Sequence, residues 1–160
     1  KIESNTMEFN FCNISLHQVL NEIGSAQRMN MQKGVELLLD LPEQAIAIYT
    51  DPTRLNQVIN NLVNNAIKFT SEGNIRIGYR PAASSRVKIF VEDTGTGMAK
   101  EVIEHIFDRF YKGDAFKQGT GLGLAICRTI VERFKGKIEV ASTPGKGTRF
   151  TIILPLKVEE

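Results

Sequence analysis

Residues 51–69 combine an apolar repeat of helical period with five asparagines. Apolar side chains at i, i+3, i+4 and i+7 predict the buried stripe of an amphipathic helix. Asparagine is a mediocre helix former that costs up to ~0.7 kcal/mol per position relative to alanine, so five of them forfeit roughly 3 kcal/mol. The helix therefore carries them for a reason other than its own formation. The stripe consists of Leu55, Val58, Ile59, Leu62, Val63, Ala66 and Phe69, and the asparagines are Asn56, Asn60, Asn61, Asn64 and Asn65.

Three polar residues share a second face of this predicted helix. Asn61, Asn65 and Lys68 lie at i, i+4 and i+7, which brings their side chains into one line. Carboxamide oxygens can bind a hard cation and a lysine adds positive charge, so this face suits a metal-bound polyphosphate. The alternative is that all three are ordinary exposed polar residues.

Composition limits the class of protein. The chain has 160 residues, 42% of them hydrophobic, and we expect one globular domain. Its 20 basic and 18 acidic residues are interspersed, so nucleic acid is not an expected partner. Cys12 and Cys127 lie among apolar residues without metal-ligand spacing, which predicts two core residues in a reducing compartment. Neither a run of about 18 apolar residues nor a signal-peptide pattern occurs, so we expect the chain to be soluble.

Periodicity and turn residues divide the chain into helices and hairpin strands. A strand is predicted at 7–14, and Ser15 then caps a helix that runs to about Met31. Asp51 caps the asparagine-rich helix, with Pro52 in its first turn. The other predicted elements are strands at 35–40 and 45–49, hairpins at 75–80 with 87–92 and at 137–142 with 149–154, helices at 100–107 and 122–134, and a mobile lid at 112–118. Together they predict an α+β fold, in which a mixed, largely antiparallel sheet carries three main helices on one face.

The motif DTGTGM follows a predicted strand and places Asp93 at its end. Gly95 and Gly97 allow a backbone to approach a flat ligand closely. A buried carboxylate accepts a hydrogen bond from an exocyclic amine, which makes Asp93 a candidate reader of adenine. Alternatively, the motif is only a tight turn with an aspartate cap.

The motif GTGLGL opens the last long helix with Gly119, Gly121 and Gly123. Backbone N–H groups at a helix N-terminus bind anions, so these glycines predict a phosphate cradle that is neither a Walker A loop nor a GxGxxG fingerprint. The alternative is a flexible hinge. In the preceding segment IFDRFYKGD, the aromatic residues are either core residues or anchors of the lid, and the cations either contact phosphate or lie on the surface. These residues are Phe107, Phe110, Tyr111, Arg109 and Lys112.

Taken in order, NNLVNNAIKFT, DTGTGM, IFDRFYKGD and GTGLGL resemble the N, G1, F and G2 boxes of the catalytic ATP-binding domain of sensor histidine kinases. The flanking TDPTRLNQV and TPGKGTRFTIILP also resemble this family, so the similarity covers nearly the whole chain. The wider group includes gyrase, MutL and the heat-shock chaperone ATPases. The resemblance implies their two-layer α/β sandwich, the Bergerat-type ATP-binding fold.

The resemblance also implies a site for ATP and Mg²⁺. Asn65 resembles the family's Mg²⁺-ligating asparagine and Asp93 its adenine-reading aspartate. Asn61 resembles the companion asparagine one turn earlier, Lys68 the phosphate-contacting lysine and Lys112 a cation near the γ-phosphate. These last three are the implied catalytic residues. The implied nucleotide-binding residues are Asn61, Asn65, Lys68, Phe69, Asp93, Gly95, Gly97, Phe110, Tyr111, Lys112, Gly119, Thr120, Gly121, Leu122, Gly123, Leu124 and Thr148.

One position separates kinases from ATPases within the wider group. ATP-hydrolysing relatives carry a glutamate where this chain has Asn61, and a carboxamide is no general base. The resemblance therefore implies a domain that holds ATP for a separate nucleophile, a histidine on a dimerisation domain. The alternatives are a self-standing serine kinase or ATPase of the same superfamily, and a non-catalytic nucleotide-sensing or docking module.

The same resemblance sets expectations for the parent protein. Residues 1–6 resemble the end of the dimerisation-domain helix, and 7–158 correspond to the catalytic domain. His17 and His105 are interpreted as structural or surface residues rather than phosphate acceptors. We expect a homodimeric parent that acts on a response-regulator receiver domain, and a monomeric isolated domain. A cytoplasmic location is implied, with a parent that can be anchored in the bacterial inner membrane.

Overall fold

The computed structural model describes residues 8–108 and 121–157. The helices are α1 (Leu16–Arg28), α2 (Pro52–Phe69), α3 (Lys100–His105) and α4 (Gly121–Arg133). The strands are β1 (Cys12–Ser15), β2 (Val35–Asp40), β3 (Ala47–Thr50), β4 (Gly73–Ala82), β5 (Arg86–Asp93), β6 (Lys137–Thr143) and β7 (Gly147–Pro155).

Five of these strands form the main sheet, in the spatial order β2-β4-β5-β7-β6. β2 pairs with β4 in parallel, whereas the other three pairings are antiparallel. β1 and β3 form a separate two-stranded antiparallel sheet. The predicted α+β class, with a mixed and largely antiparallel sheet, is confirmed.

The core lies between this sheet and the three long helices, with α2 packed between α1 and α4. On β5, Val87, Ile89 and Val91 alternate inward and are buried, as expected for a sheet with one covered face. The apolar stripe predicted for α2 is buried from Leu55 to Ala66, and Phe69 is partly buried against the same core. Within the described ranges, none of the helices is both long and apolar enough to cross a lipid bilayer.

Side-chain caps fix the starts of α1 and α2 as predicted. The Ser15 hydroxyl accepts a hydrogen bond from the Gln18 amide at 3.4 Å. The Asp51 carboxylate accepts from the amides of Arg54 at 3.1 Å and Asn10 at 2.7 Å. Because Asp51 is only 3% exposed, this carboxylate anchors both the helix and the segment that precedes β1.

Two details of the N-terminal region differ from prediction. In the described part of the predicted strand at 7–14, pairing begins only at Cys12, because the preceding residues are held by aromatic contacts instead. Phe9 and Phe11 lie edge-on to Phe134, with ring centroids 5.5 and 5.9 Å away. α1 ends at Arg28 rather than near Met31.

The prediction that both cysteines are core residues is wrong for Cys12. Cys12 is exposed and Cys127 is buried. The apolar neighbours of Cys12 suggested a core position, but β1 belongs to the small sheet with β3, and its first two residues face solvent. Cys127 lies on α4 in the core, where burial raises the pKa of its thiol to about 12, so the thiol stays protonated at neutral pH.

Candidate functional site

The polar face of α2 meets the start of α4 at a cavity of about 140 Å³. Asn61 donates a hydrogen bond from Nδ2 to the Gly123 carbonyl at 3.3 Å, which ties the middle of α2 to the first turn of α4. The cavity is lined by Asn61, Asn64, Asn65, Lys68, Gly123 and Leu124. Five of these six residues belong to the predicted set, and Asn64 does not.

The start of α4 gives this cavity its electrostatic character. The helix begins at Gly121, so Gly123 is in its first turn, where the backbone N–H groups point toward the N-terminus of the helix. Their partial positive charge and the Lys68 ammonium both favour an anion. Cation-binding side chains of the usual kind are missing: in the ranges 8–108 and 121–157, no three His, Cys, Asp or Glu residues form a metal-binding group.

Asp93 ends β5 and is only 7% exposed. Its Oδ1 accepts a hydrogen bond from the Gly95 amide at 2.8 Å. Burial raises the pKa of this carboxyl above its ordinary value of 3.8, and backbone hydrogen bonds from Gly95 and Thr148 oppose part of the rise. The structure thus keeps a carboxylate largely out of water and raises its pKa, an arrangement typical of functional sites.

A second, smaller cavity lies beside Asp93. Its volume of about 10 Å³ is room for about one water molecule. It is lined by Asn65, Ala66, Phe69, Asp93, Met98, Thr148 and Phe150. Asn65 lines both cavities, so the pocket beside Asp93 and the polar pocket on α2 adjoin at this side chain. A flat heterocycle would enter the smaller cavity only if apolar side chains such as Met98 or Phe69 moved aside.

The glycines after Asp93 pack against other parts of the backbone. A Cβ atom on Gly95 would lie 2.1 Å from the Phe69 carbonyl oxygen. Gly97 has a φ of +72°, and a Cβ there would lie 2.1 Å from the Thr143 carbonyl oxygen. The sequence suggested that these glycines admit a ligand, and in the structure they also let the turn dock on the end of α2 and on the β6–β7 hairpin.

The Gly95→Ala variant should therefore be destabilised by about 1–3 kcal/mol, because the backbone at Phe69 cannot yield as a side chain would. Gly24→Ala is the matched control. The three atoms nearest to a Cβ at Gly24 all belong to the flexible Leu39 side chain, the closest at 3.2 Å. Urea denaturation should show a large loss for Gly95→Ala and a small change for Gly24→Ala. Equal changes in the two variants would contradict this account of the turn.

Ser142 orients Thr148 within the site, a role that the sequence did not predict. The Ser142 hydroxyl accepts from the Met98 amide at 2.8 Å and donates to the Gly147 carbonyl at 2.9 Å. Its one proton is thereby used, so the Thr148 hydroxyl, 2.9 Å away, is the donor in their contact. Strand alternation on β6 indicates that Ser142 faces inward, but nothing in the sequence indicates its partners.

The remaining predicted residues divide into three groups. Phe107 packs edge-on against Phe150 with centroids 6.2 Å apart, as a partly buried residue at the edge of the core. His17 hydrogen-bonds to Tyr79, and His105 lies 2.9 Å from Asp108; neither histidine lines the two cavities. The predictions for the lid and for Arg109, Phe110, Tyr111, Lys112, Gly119 and Thr120 lie outside the described residues, as does the side chain of Leu122.

Comparison with known proteins identifies the family. A family model described as histidine kinase-, DNA gyrase B-, and HSP90-like ATPase matches residues 50–158. Sensor histidine kinase YclK of Bacillus subtilis is 34% identical over 169 aligned residues, which cover 100% of this chain and 35% of YclK. Sensor histidine kinase RcsC of Escherichia coli is 38% identical over 163, covering 98% of this chain and 17% of RcsC.

Solved structures agree with these matches. Full-length ShkA, solved in complex with AMPPNP, has a TM-score of 0.87 and 27% identity over 96% of this chain and 32% of that one. The catalytic domain of histidine kinase ThkA, in a nucleotide-free form, has a TM-score of 0.83 and 30% identity over 93% of this chain and 97% of that one. The chain spans only 17% to 35% of the curated relatives YclK and RcsC. It belongs to the histidine kinase-, DNA gyrase B- and HSP90-like ATPase family, as a catalytic ATP-binding domain of the sensor histidine kinase type.

Proposed function

We propose that this domain binds ATP together with Mg²⁺ and transfers the γ-phosphoryl group to a histidine on a separate dimerisation domain. The observation that carries the proposal is the position of Asn65 between two cavities of different character. One contains a buried carboxylate beside apolar side chains, and the other contains amides, a lysine and a helix N-terminus. A nucleotide has the same two parts in the same order, a flat base and a charged polyphosphate.

The residues around the smaller cavity suit adenine once apolar side chains such as Met98 or Phe69 move aside. The Asp93 carboxylate can accept the hydrogen bond of the exocyclic amine, which guanine does not carry at that position. Phe69, Met98 and Phe150 offer apolar surface for the faces of the base. Thr148 contributes a hydroxyl whose proton is directed to Ser142, so its oxygen is available as an acceptor.

The larger cavity suits a triphosphate with Mg²⁺. A magnesium ion is usually held by few protein ligands, together with waters and the phosphates of the substrate, so the Asn65 amide oxygen is a sufficient protein contribution. When bound, the ion would neutralise charge on the β- and γ-phosphates. Lys68 and the N–H groups at the start of α4, including those at Gly121 and Gly123, would bind the remaining phosphate oxygens.

Asn61 supports transfer to a partner rather than to water. Its carboxamide cannot remove a proton from water, and its Nδ2 already donates to the Gly123 carbonyl. The domain would then act by positioning the triphosphate in line with an external nucleophile. In the transfer step a histidine ring nitrogen forms the new N–P bond while the β,γ-bridging oxygen leaves with ADP.

The whole protein is proposed to resemble its relatives. We infer a homodimeric sensor kinase with a histidine-bearing dimerisation domain and a response-regulator receiver domain as partner, because the curated relatives are named sensor histidine kinases. The catalytic domain would lie in the cytoplasm, where ATP is available. The isolated domain would be monomeric.

The experiment is a transfer assay with γ-labelled ATP. The isolated domain should bind ATP·Mg²⁺ with a Kd between micromolar and millimolar, about 4–8 kcal/mol, and should neither label itself nor release phosphate quickly. Added helical bundle carrying the acceptor histidine should become labelled, and a bundle with that histidine replaced should not. Rapid phosphate release without transfer would instead indicate an ATPase, and binding without either reaction would indicate a nucleotide sensor.

A further inference from the structure

Three of the five asparagines on α2 lie outside the predicted catalytic face and are joined by amide hydrogen bonds. Asn56 donates from Nδ2 to the Pro52 carbonyl at 2.8 Å. Asn60 donates from Nδ2 to the Asn56 carbonyl at 2.9 Å. Because each NH₂ group is used by a carbonyl of the preceding turn, the Asn60 side-chain oxygen is left to face away from α2.

Gln27 on α1 donates a hydrogen bond to that oxygen. This side chain is only 5% exposed, and its Nε2 donates to Asn60 Oδ1 at 2.8 Å and to Asn64 Oδ1 at 3.3 Å. Its Oε1 accepts from Asn30 Nδ2 at 3.0 Å. All the polar atoms of a buried glutamine therefore have partners, as burial of a polar group requires.

The direction of these bonds decides what Asn64 can offer a ligand. Nε2 of Gln27 can only donate hydrogen bonds. The Asn64 amide therefore faces α1 with its oxygen, which is the acceptor. The oxygen and nitrogen of a primary amide are bonded to one carbon and point in different directions within one plane. The Asn64 NH₂ group is thereby left for the other side, and Asn64 is an exposed residue that lines the cavity with Asn65 and Lys68.

We propose that Asn64 is a further polyphosphate-binding residue and that Gln27 is the positioning residue that keeps its NH₂ group directed into the cavity. The proposal rests on the proposed function. It adds a neutral double donor beside Lys68, and it gives α1 an influence on the phosphate site through a single buried side chain. A phosphate oxygen is a charged acceptor, so such a contact is stronger than one between neutral groups.

The test measures ATP·Mg²⁺ by calorimetry and adenosine by NMR titration, with thermal melting of each variant. Asn64→Ala should weaken ATP about tenfold, and Asn64→Asp should weaken it further, because it places an acceptor and a negative charge beside the polyphosphate. Adenosine affinity should be unchanged in both, since adenosine lacks phosphates. Thermal stability should also hold, because Asn64 is exposed.

Gln27 is tested by Gln27→Met, which keeps the length of the side chain and removes the amide. ATP affinity should fall severalfold, and combination with Asn64→Ala should cause no further loss, because Gln27 acts through Asn64. Asn30→Ala is the matched control: it removes a bond to Gln27 on the side away from Asn64 and should leave ATP affinity unchanged.

Three results would overturn the proposal. They are unchanged ATP affinity in both Asn64 variants, equal losses for ATP and adenosine, and additive losses in the double variant. These results differ from failure of the proposed function, in which the wild-type domain itself would not bind ATP·Mg²⁺; that failure would remove this proposal as well.

Discussion

Replacing Asn65 with alanine should lower the Mg²⁺-dependent part of ATP affinity by about 10- to 100-fold or more. Removing a residue that only hydrogen-bonds to a metal ligand already costs about this much, and loss of the ligand itself should cost at least as much. The side chain lines both cavities, so it lies where base and polyphosphate would join. Stability should hold or increase, because alanine improves helix propensity by up to ~0.7 kcal/mol.

Calorimetry with and without Mg²⁺, together with thermal melting, checks this prediction. Asn56→Ala is the matched control, since it makes the same chemical change on the same helix, at an amide that bonds to the Pro52 carbonyl and lines neither cavity. ATP affinity should be unaffected in the control. A fall in melting temperature for Asn65→Ala with Mg²⁺-dependent binding intact would assign Asn65 a structural role instead.

Asp93→Asn should weaken ATP by about 10- to 150-fold, which corresponds to roughly 1.5–3 kcal/mol for a hydrogen bond to a charged group. The new amide can turn its NH₂ group toward the adenine amine, so donor would face donor. Because the Gly95 amide still needs an acceptor, the oxygen of the introduced carboxamide would be held there. The loss should be selective for adenine, and equal losses for ATP and GTP would indicate a role in the turn alone.

The titration of Asp93 gives the stability of the wild type a pH dependence of defined sign. The unfolded Asp93 carboxyl has a pKa near 3.8, whereas burial raises the pKa in the folded domain. Between the two values the folded state binds more protons, so the stability of the wild type falls as the pH rises through this window. Relative to Asp93→Asn, the wild type should therefore lose free energy of unfolding on the way to neutral pH.

Binding should change in the opposite direction, because the carboxylate accepts the adenine amine best when ionised. Urea denaturation and ATP titration, each across this pH range, measure the two effects. Parallel stability profiles for wild type and Asp93→Asn would contradict the assigned cause of the shift.

The sequence predicted the helix that carries the site better than it predicted the uses of its polar residues. A period of 3.6 places the buried stripe and the face of Asn61, Asn65 and Lys68 without further information. The bonds of Asn60 and Asn64 run to Gln27, 33 and 37 residues away. Such pairings depend on how α1 packs against α2, which no local pattern specifies.

The same limit explains the other differences. Cys12 has apolar neighbours in sequence, but its exposure depends on which strand pairs with β1. Gly95 is recognisable as a glycine in a turn, whereas its contact with the Phe69 carbonyl arises from the docking of two distant segments. Asp93 lies next to Thr148 because the two residues are register partners in β5 and β7. This register depends on how the whole sheet assembles, which no local pattern specifies.

The most direct measurement of the central claim locates the metal itself. With ¹⁵N-labelled domain, ATP and Mn²⁺ in place of Mg²⁺, paramagnetic broadening should be strongest at the side-chain amide of Asn65. It should weaken along α2 toward Asn56, about 14 Å away at 1.5 Å per residue, and it should require ATP. Broadening that is centred away from α2, or that is the same without ATP, would contradict the assignment of this face as the site of a metal-bound nucleotide.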